Sequence, residues 1–382
     1  MQPTIYLDNN ATTPLAPSVI AAMTDAFEVF GNPSSAHAVG KPAREIVDNA
    51  RISVAKLIGA ASPSEIVFTS GGTESDNWAI RGALESQPGK DHIVATRVEH
   101  EAVRKLCEGL ESRGVRVSWI DVDERGRLDL DQLRDAITAR TAVVSVMMAN
   151  NETGVIFPID EIAAIVRENS DAIFHVDAVN AAGKMTINIE HSRIDLLSLS
   201  AHKFHGPKGI GALYVRDGVL LASTQIGGGQ EKGRRAGTEA VHQIAGLGAA
   251  AEFASDLSQM TEIGRLRDKL ESSILERFDL ASVNGDVNNR LPNTSNISFE
   301  NLNGEMILHY LDEAGICVST GSACNSESKV SSPVLAAMNV PYSRAMGSIR
   351  FSLGRSNAEV EIDQTMSALD KIIQTLRGVS AV

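Results

Sequence analysis

Residues 195–214 read DLLSLSAHKFHGPKGIGALY, and the rest of the chain is understood outward from them. Two apolar runs, 196–199 and 209–215, have the composition of strands, and between them lies a loop with Ser200, His202, Lys203 and a Gly/Pro-rich segment at 205–209. A lysine that ends an apolar strand stands where buried scaffold meets a cleft. Desolvation there lowers an ammonium pKa and exposes a nucleophilic amine, as a Schiff-base lysine requires. Taken alone Lys203 is more ordinarily a solvated loop lysine, and its neighbours in the sheet have to decide between the two readings.

Those neighbours form a regular series. Apolar runs at 65–69, 92–96, 115–120, 142–148 and 172–176 alternate with amphipathic helical patterns at 73–84, 101–113, 130–137 and 159–168. Such alternation predicts an α/β fold with a mainly parallel sheet flanked by helices. Ahead of it, a short strand at 4–7 enters a polar turn at 8–14, which by itself reads as no more than a turn, and helices follow at 17–30 and 44–58. After Ala240 the pattern changes to one long helical stretch at 241–278, short strands near 281–283 and 295–299, a helix at 304–313, a strand at 348–352 and a helix at 358–376. The expected organisation is a large domain over 15–257 and a smaller α+β domain over 258–382 joined by residues 1–14.

Bulk composition narrows the function. With 43% hydrophobic and 22% charged side chains, the 382 residues can build a large core. The net charge of −13, from 35 basic and 48 acidic residues, disfavours nucleic acid and anionic membrane as direct ligands. No apolar run approaches the ~20 residues that cross a bilayer, and the start MQPTIYLDNN lacks a signal-peptide pattern, so a cytoplasmic location is expected. Three cysteines, Cys107, Cys317 and Cys324, form neither a disulfide framework nor a metal-type spacing.

In open α/β sheets ligands bind beyond the carboxyl ends of the strands, and here the loops after those ends carry polar groups. The run at 65–69 opens into Ser70-Gly71-Gly72-Thr73 at a helix start, which suits a phosphate and equally an ordinary helix cap. Asp177 ends the run at 172–176, where it can hold a ring-nitrogen proton or cap a helix. Asn151 follows the run at 142–148. His100 follows 92–96 and either stacks on a ring, moves a proton or is simply solvated. Phosphate loop, histidine, Asn, Asp and lysine, each after a successive strand, is what an aldehyde cofactor with an anionic anchor demands.

Through YLDNNATT, FGNPSSAH, FTSGGTESDN, VEHEAV, NNETG, HVDAV, LSLSAHKFHGPKG, GGGQEKGRRAGTE, LPNTSNISF, STGSACNS and IRFSLGR, nearly the full length resembles the cysteine desulfurases of the NifS/IscS branch. These belong to the class-V aminotransferases, pyridoxal 5′-phosphate enzymes of fold type I. The resemblance implies that Lys203 binds the cofactor aldehyde, Asp177 pairs with the pyridine nitrogen and His100 stacks on the ring and relays protons. It also implies that Gly72, Thr73, Ser200 and His202 bind the phosphate, with Thr238 reaching it from the other subunit of a homodimer. Asn151 would lie near the ring hydroxyl and substrate carboxylate, and Arg350 would pair with that carboxylate. The family's glutamine three residues after the aspartate is Asn180 here, an amide one methylene shorter and with less reach toward the ring hydroxyl.

Cys107, on a helical pattern, and Cys317, in GICVS, read as buried hydrophobes. Cys324 differs: small polar neighbours in the long loop 322–334 predict an exposed, mobile sulfur. The resemblance makes it the acceptor of sulfur from L-cysteine, with L-alanine released and the persulfide passed to an acceptor such as an iron–sulfur scaffold protein. Selenocysteine lyase, a C–S lyase yielding pyruvate and an aminotransferase are alternative uses of the same cofactor frame; the last two have no need of Cys324.

Overall fold

The computed structural model describes residues 4–320 and 332–380, the last three by backbone only. Apolar runs rich in Val, Ile and Leu become the strands of a seven-stranded sheet, buried on both faces except in the edge strand Arg116–Ile120. Across the sheet the order is Ile66–Thr69, Gly211–Val215, Leu196–Ser200, Ile173–Asp177, Thr141–Met147, His92–Thr96 and Arg116–Ile120. Every pairing is parallel except the two made by Gly211–Val215, which runs against both its neighbours. The expected mainly parallel sheet is thus present.

Alternate strand residues feed two apolar layers, as a side-chain period of two requires. Ile66, Phe68, Val144, Val146, Phe174 and Val176 pack with Val47, Val54, Ile162 and Leu247 from helices on one side. Val67, Ile93, Val143, Ile173 and Leu213 pack with Trp78, Ile80, Val103 and Leu106 from helices Gly72–Glu85 and Glu101–Glu111 on the other. A third apolar cluster gathers Ile263, Leu270, Ile297, Phe351 and Leu369 around the antiparallel strands Ala281–Asn284, Thr294–Phe299 and Ser348–Ser352, and takes Ile5 and Leu7 from the N-terminus. Strand Ile5–Tyr6 enters it by pairing in parallel with Ile316–Cys317. Among the described residues no helix is long and apolar enough to cross a membrane.

Two expectations need correction. The long helix expected over 241–278 is two helices, Val241–Ser255 and Met260–Arg277. Asp256 takes up extended backbone, and its Oδ1 accepts the amide of Ser258 at 2.9 Å, a local bond that competes with helix continuation while leaving the apolar periodicity on either side intact. The helix expected from Arg44 begins four residues earlier, at Gly40, with Pro42 in the first turn where a missing N–H costs nothing.

Gly211 shows how tightly the antiparallel strand is set. A Cβ there would stand 2.4 Å from the Leu199 carbonyl oxygen and 2.7 Å from the Gly71 Cα, both backbone atoms. Gly211→Ala is expected to lower the urea unfolding free energy by about 1–3 kcal/mol, the usual range for overpacking; an unchanged midpoint would mean that the strand moves aside freely.

Candidate active site

The carboxyl ends of the strands converge on one cavity of about 200 Å³. Strand Ile66–Thr69 delivers Gly71 at φ 149°, a backbone conformation reserved for glycine, and the chain then turns directly into helix Gly72–Glu85. Gly72 and Thr73 therefore present the free N–H end of that helix to the cavity, with Ser200 and His202 facing the same space. Ser70 N–H donates to Glu74 at 2.6 Å, and Arg235 grips Glu74 through Nε and Nη2, so the loop is tied to the segment 227–239.

Strand Ile173–Asp177 places Asp177 in the cavity wall. Its Oδ1 accepts the Val179 amide at 2.9 Å, but residues 179–184 are turns, so the capping alternative has no helix to cap. Burial raises the Asp177 carboxyl above its ordinary value, with His100 and Lys203 pulling it back down. His100 is the N-cap of helix Glu101–Glu111, its Nδ1 accepting the Ala102 amide at 3.1 Å. Burial holds its imidazole below the usual value. His202 is lowered to about 4, again by burial first.

Lys203 closes a short 3₁₀ turn, Ala201–Lys203, immediately after strand Leu196–Ser200. Its Nζ lies in the cavity wall and donates to the carbonyls of Asn10, at 2.7 Å, and Ala11, at 3.1 Å. The polar turn at 8–14 is thus part of the site. Thr12 Oγ1 meets His202 Nδ1 at 3.2 Å, Thr13 bonds the His202 carbonyl twice, and Asp8 pairs with Arg350.

Asn151 and Asn180 line the cavity as well. The Asn180 amide is fixed from both ends: Lys184 Nζ donates to its Oδ1 at 2.8 Å, and its Nδ2 donates to the Asn150 carbonyl at 3.3 Å. Lys184 itself is buried, which pushes its ammonium well below the ordinary value, and it also donates to Asn10 Oδ1 at 3.0 Å.

Two of the residues named from sequence stand apart from this cavity. Arg350 lies behind it, donating to the Asn151 carbonyl at 3.0 Å, and Thr238 is exposed on the segment 227–239. Cys324 is outside the described residues. Cys107 is buried as expected, whereas Cys317, on an edge strand, is only half-buried. Residues not singled out from sequence also matter: Asp76 lines the cavity from the same helix as Gly72, one turn on, and Glu99 and His175 are buried close behind. Asp76 was discoverable, since a helical spacing of four from Gly72 puts both on one face. His175 lies between Phe174 and Val176 in a strand and Glu99 beside His100 and Glu101 in a polar loop, and neither gives such a signal.

The sequence model of the aminotransferase class-V family matches residues 5–365. A cysteine desulfurase of Gluconacetobacter diazotrophicus is 52% identical over 380 residues, covering 98% of this chain and 95% of the relative. The cysteine desulfurase NifS of Azotobacter vinelandii is 49% identical over 379 residues, covering 98% and 94%. Among solved structures, a NifS-like protein superposes with a TM-score of 0.92 at 38% identity over 98% of this chain and all of its own. A structure of SspA in complex with cysteine gives 0.82 at 36%, covering 92% of this chain and 99% of that one. With the cavity at the strand ends and a family match over most of its length, the chain belongs to the aminotransferase class-V family and groups there with the cysteine desulfurases.

Proposed function

We propose that the protein is a cysteine desulfurase that uses pyridoxal 5′-phosphate to convert L-cysteine to L-alanine and moves the sulfur onto its own Cys324. The observation that carries this reading is the meeting of Lys203, Asp177 and the N–H end of helix Gly72–Glu85 around one cavity. The residues present fit that cofactor. An anion suits the helix N-terminus with Thr73, Ser200 and His202, and a Cβ on Gly72 would come within 2.8 Å of Val179.

At the other end, Asp76, Glu99 and Asp177 are all buried, and Asp76 Oδ1 and Glu99 Oε2 have no hydrogen-bond partner among the described residues. Burial raises Asp76 well above the ordinary range, with Asp177 adding to it, and pushes Glu99 up to about 8. Such a place favours a cation, and a protonated ring nitrogen on Asp177 supplies one. When bound, the cofactor offers an aldehyde carbon for an amine and a charged ring that draws electron density from Cα.

The chain's own residues do the rest. Asp177 would keep the ring-nitrogen proton in place, His100 would cover the ring and relay protons, and Asn180, held by Lys184, would meet the ring hydroxyl. Lys203 would hold the aldehyde carbon through Nζ, and its amine, when free, would take the Cα proton, with the Asn10 and Ala11 carbonyls to receive its ammonium form. Arg350 pairs with the substrate carboxylate. Cys324, as thiolate, attacks the substrate sulfur; the new S–S bond forms as the C–S bond breaks, leaving a persulfide on Cys324.

Further parts of the reading concern assembly. A homodimer in which Thr238 of one subunit completes the phosphate site of the other suits that residue's exposure, and an iron–sulfur scaffold protein is the acceptor we favour. We divide the chain into a large unit over 15–257 and a small one over 1–14 and 258–382. The apolar cluster that unites Ile5 and Leu7 with Ile263 to Ile373 supports the division, although Leu291, Val334 and Met338 pack into the large core.

Cys324→Ser is expected to retain the visible absorbance of bound cofactor while sulfide release falls at least ~100-fold; a fully active variant removes the assignment. Lys203→Ala should lose the absorbance of lysine-bound cofactor and drop alanine formation about 10²–10⁴-fold, and an unaltered spectrum would refute its role. Glu99 offers a pH test on cofactor-free protein. A carboxyl raised from 4.5 to about 8 stays protonated in the fold while the unfolded chain ionises, so its contribution is whole below about 4.5 and is lost as pH rises to about 8. Relative to wild type, the urea midpoint of Glu99→Gln should therefore climb across that window, and a pH-independent difference would contradict it.

A further inference from the structure

Arg350 sits buried in strand Ser348–Ser352 with its guanidinium turned toward the N-terminal turn. Nη1 donates to the Asn151 carbonyl at 3.0 Å and Nη2 to Asp8 Oδ1 at 2.7 Å, while Nε is buried with no acceptor among the described residues. Nε and Nη2 form one edge of the planar fork, the edge that accepts a carboxylate through two parallel bonds. Asp8 occupies one tooth of that edge and leaves the other empty.

Although Asp268 meets only Nε of Arg267, several carboxylates elsewhere in the chain take two teeth of a part-buried arginine. Glu74 does so on Nε and Nη2 of Arg235, at 2.8 and 3.1 Å; Glu271 holds Arg290 at 2.6 and 2.7 Å, and Glu231 holds Arg51 at 2.7 and 2.9 Å. The Asp8 pair is of the single-bond kind, and it leaves the Nε of Arg350 over. It is also lopsided in exposure, with the Arg350 side chain 8% and the Asp8 side chain 18% accessible, so the aspartate is the partner able to turn out to water. The Asn151 carbonyl anchors the guanidinium plane beside the cavity that Asn151 lines.

We propose that Asp8 is a resident counter-ion that the substrate carboxylate displaces from Arg350, and that the cost of this exchange lowers the affinity of every carboxylate ligand, so that one without an α-amino group for the cofactor is held only weakly. The inference rests on the assignment of Arg350 to the substrate carboxylate. A buried arginine without a partner would bind any carboxylate that reached it. With Asp8 already in place, an incoming carboxylate replaces one ion pair by another and gains little. Net affinity then depends on what else the ligand brings, and an amino acid brings an amino group for the cofactor. Asp8 thus sets how much affinity a carboxylate alone can gain, without touching the reacting atoms.

The test titrates cofactor-loaded wild type, Asp8→Asn, Asp8→Ala and the double variant Asp8→Asn/Arg350→Gln with butyrate and with L-alanine, reading binding by ligand-observed NMR. Both single variants should bind butyrate about tenfold tighter than wild type, and L-alanine tighter by a similar factor. The gain should vanish in the double variant. If neither single variant binds butyrate more tightly, Asp8 only props Arg350 in place and the proposal is overturned. If the gain survives Arg350→Gln, the assignment of Arg350 to the carboxylate is what fails.

Discussion

Three carboxyl groups, Asp76, Glu99 and Asp177, are buried against one another at the end of a mostly apolar sheet, and most of the site follows from keeping them there. Removing like charges from water is tolerable only if they hold protons or face a cation. The strands bury mostly apolar side chains along their length and bring polar ones to their carboxyl ends, where the helix N-terminus at Gly72 and the amine of Lys203 are also gathered. The site is therefore polarised, with carboxyl groups at one side of the cavity and anion-binding N–H groups at the other. A ligand with a cationic ring at one end and a phosphate at the other matches that polarity.

The N-terminal turn ties this large sheet to the smaller apolar cluster. Strand Ile5–Tyr6 belongs to the second cluster by its pairing and by the burial of Ile5 and Leu7, yet the next few residues reach back to the first. Asn10 accepts from Lys203 through its carbonyl and from Lys184 through its side chain, and Asp8 engages Arg350. Lysine, arginine and the buried ammonium that fixes Asn180 thus share a single short segment. A displacement of that segment would be felt at all three.

Much of this was legible beforehand. The strand ends, the helix start at Gly72, and the positions of Asp177, His100, Asn151 and Lys203 follow from local periodicity and turn chemistry, and the structure brings them to one cavity. The break at Asp256 was not legible, because a side chain bonding an amide two residues on leaves the apolar spacing on both sides unchanged. Nor was the accommodation of Asn180: its shorter reach is evident in the sequence, but the ammonium of Lys184 that orients it is recognisable only when both are seen buried together.

Order of elements, the two apolar faces of the sheet and the chemistry offered at each strand end were determined by sequence alone, because burial direction is written in a period of two or of 3.6 residues. Which remote polar groups meet was decided by tertiary packing. Asp8 and Arg350 are 342 residues apart, and Lys203 lies 193 residues from the carbonyl that receives it. No local pattern encodes such pairs: a hydrogen bond needs donor and acceptor set to within a few tenths of an ångström, and only the packed layers set them.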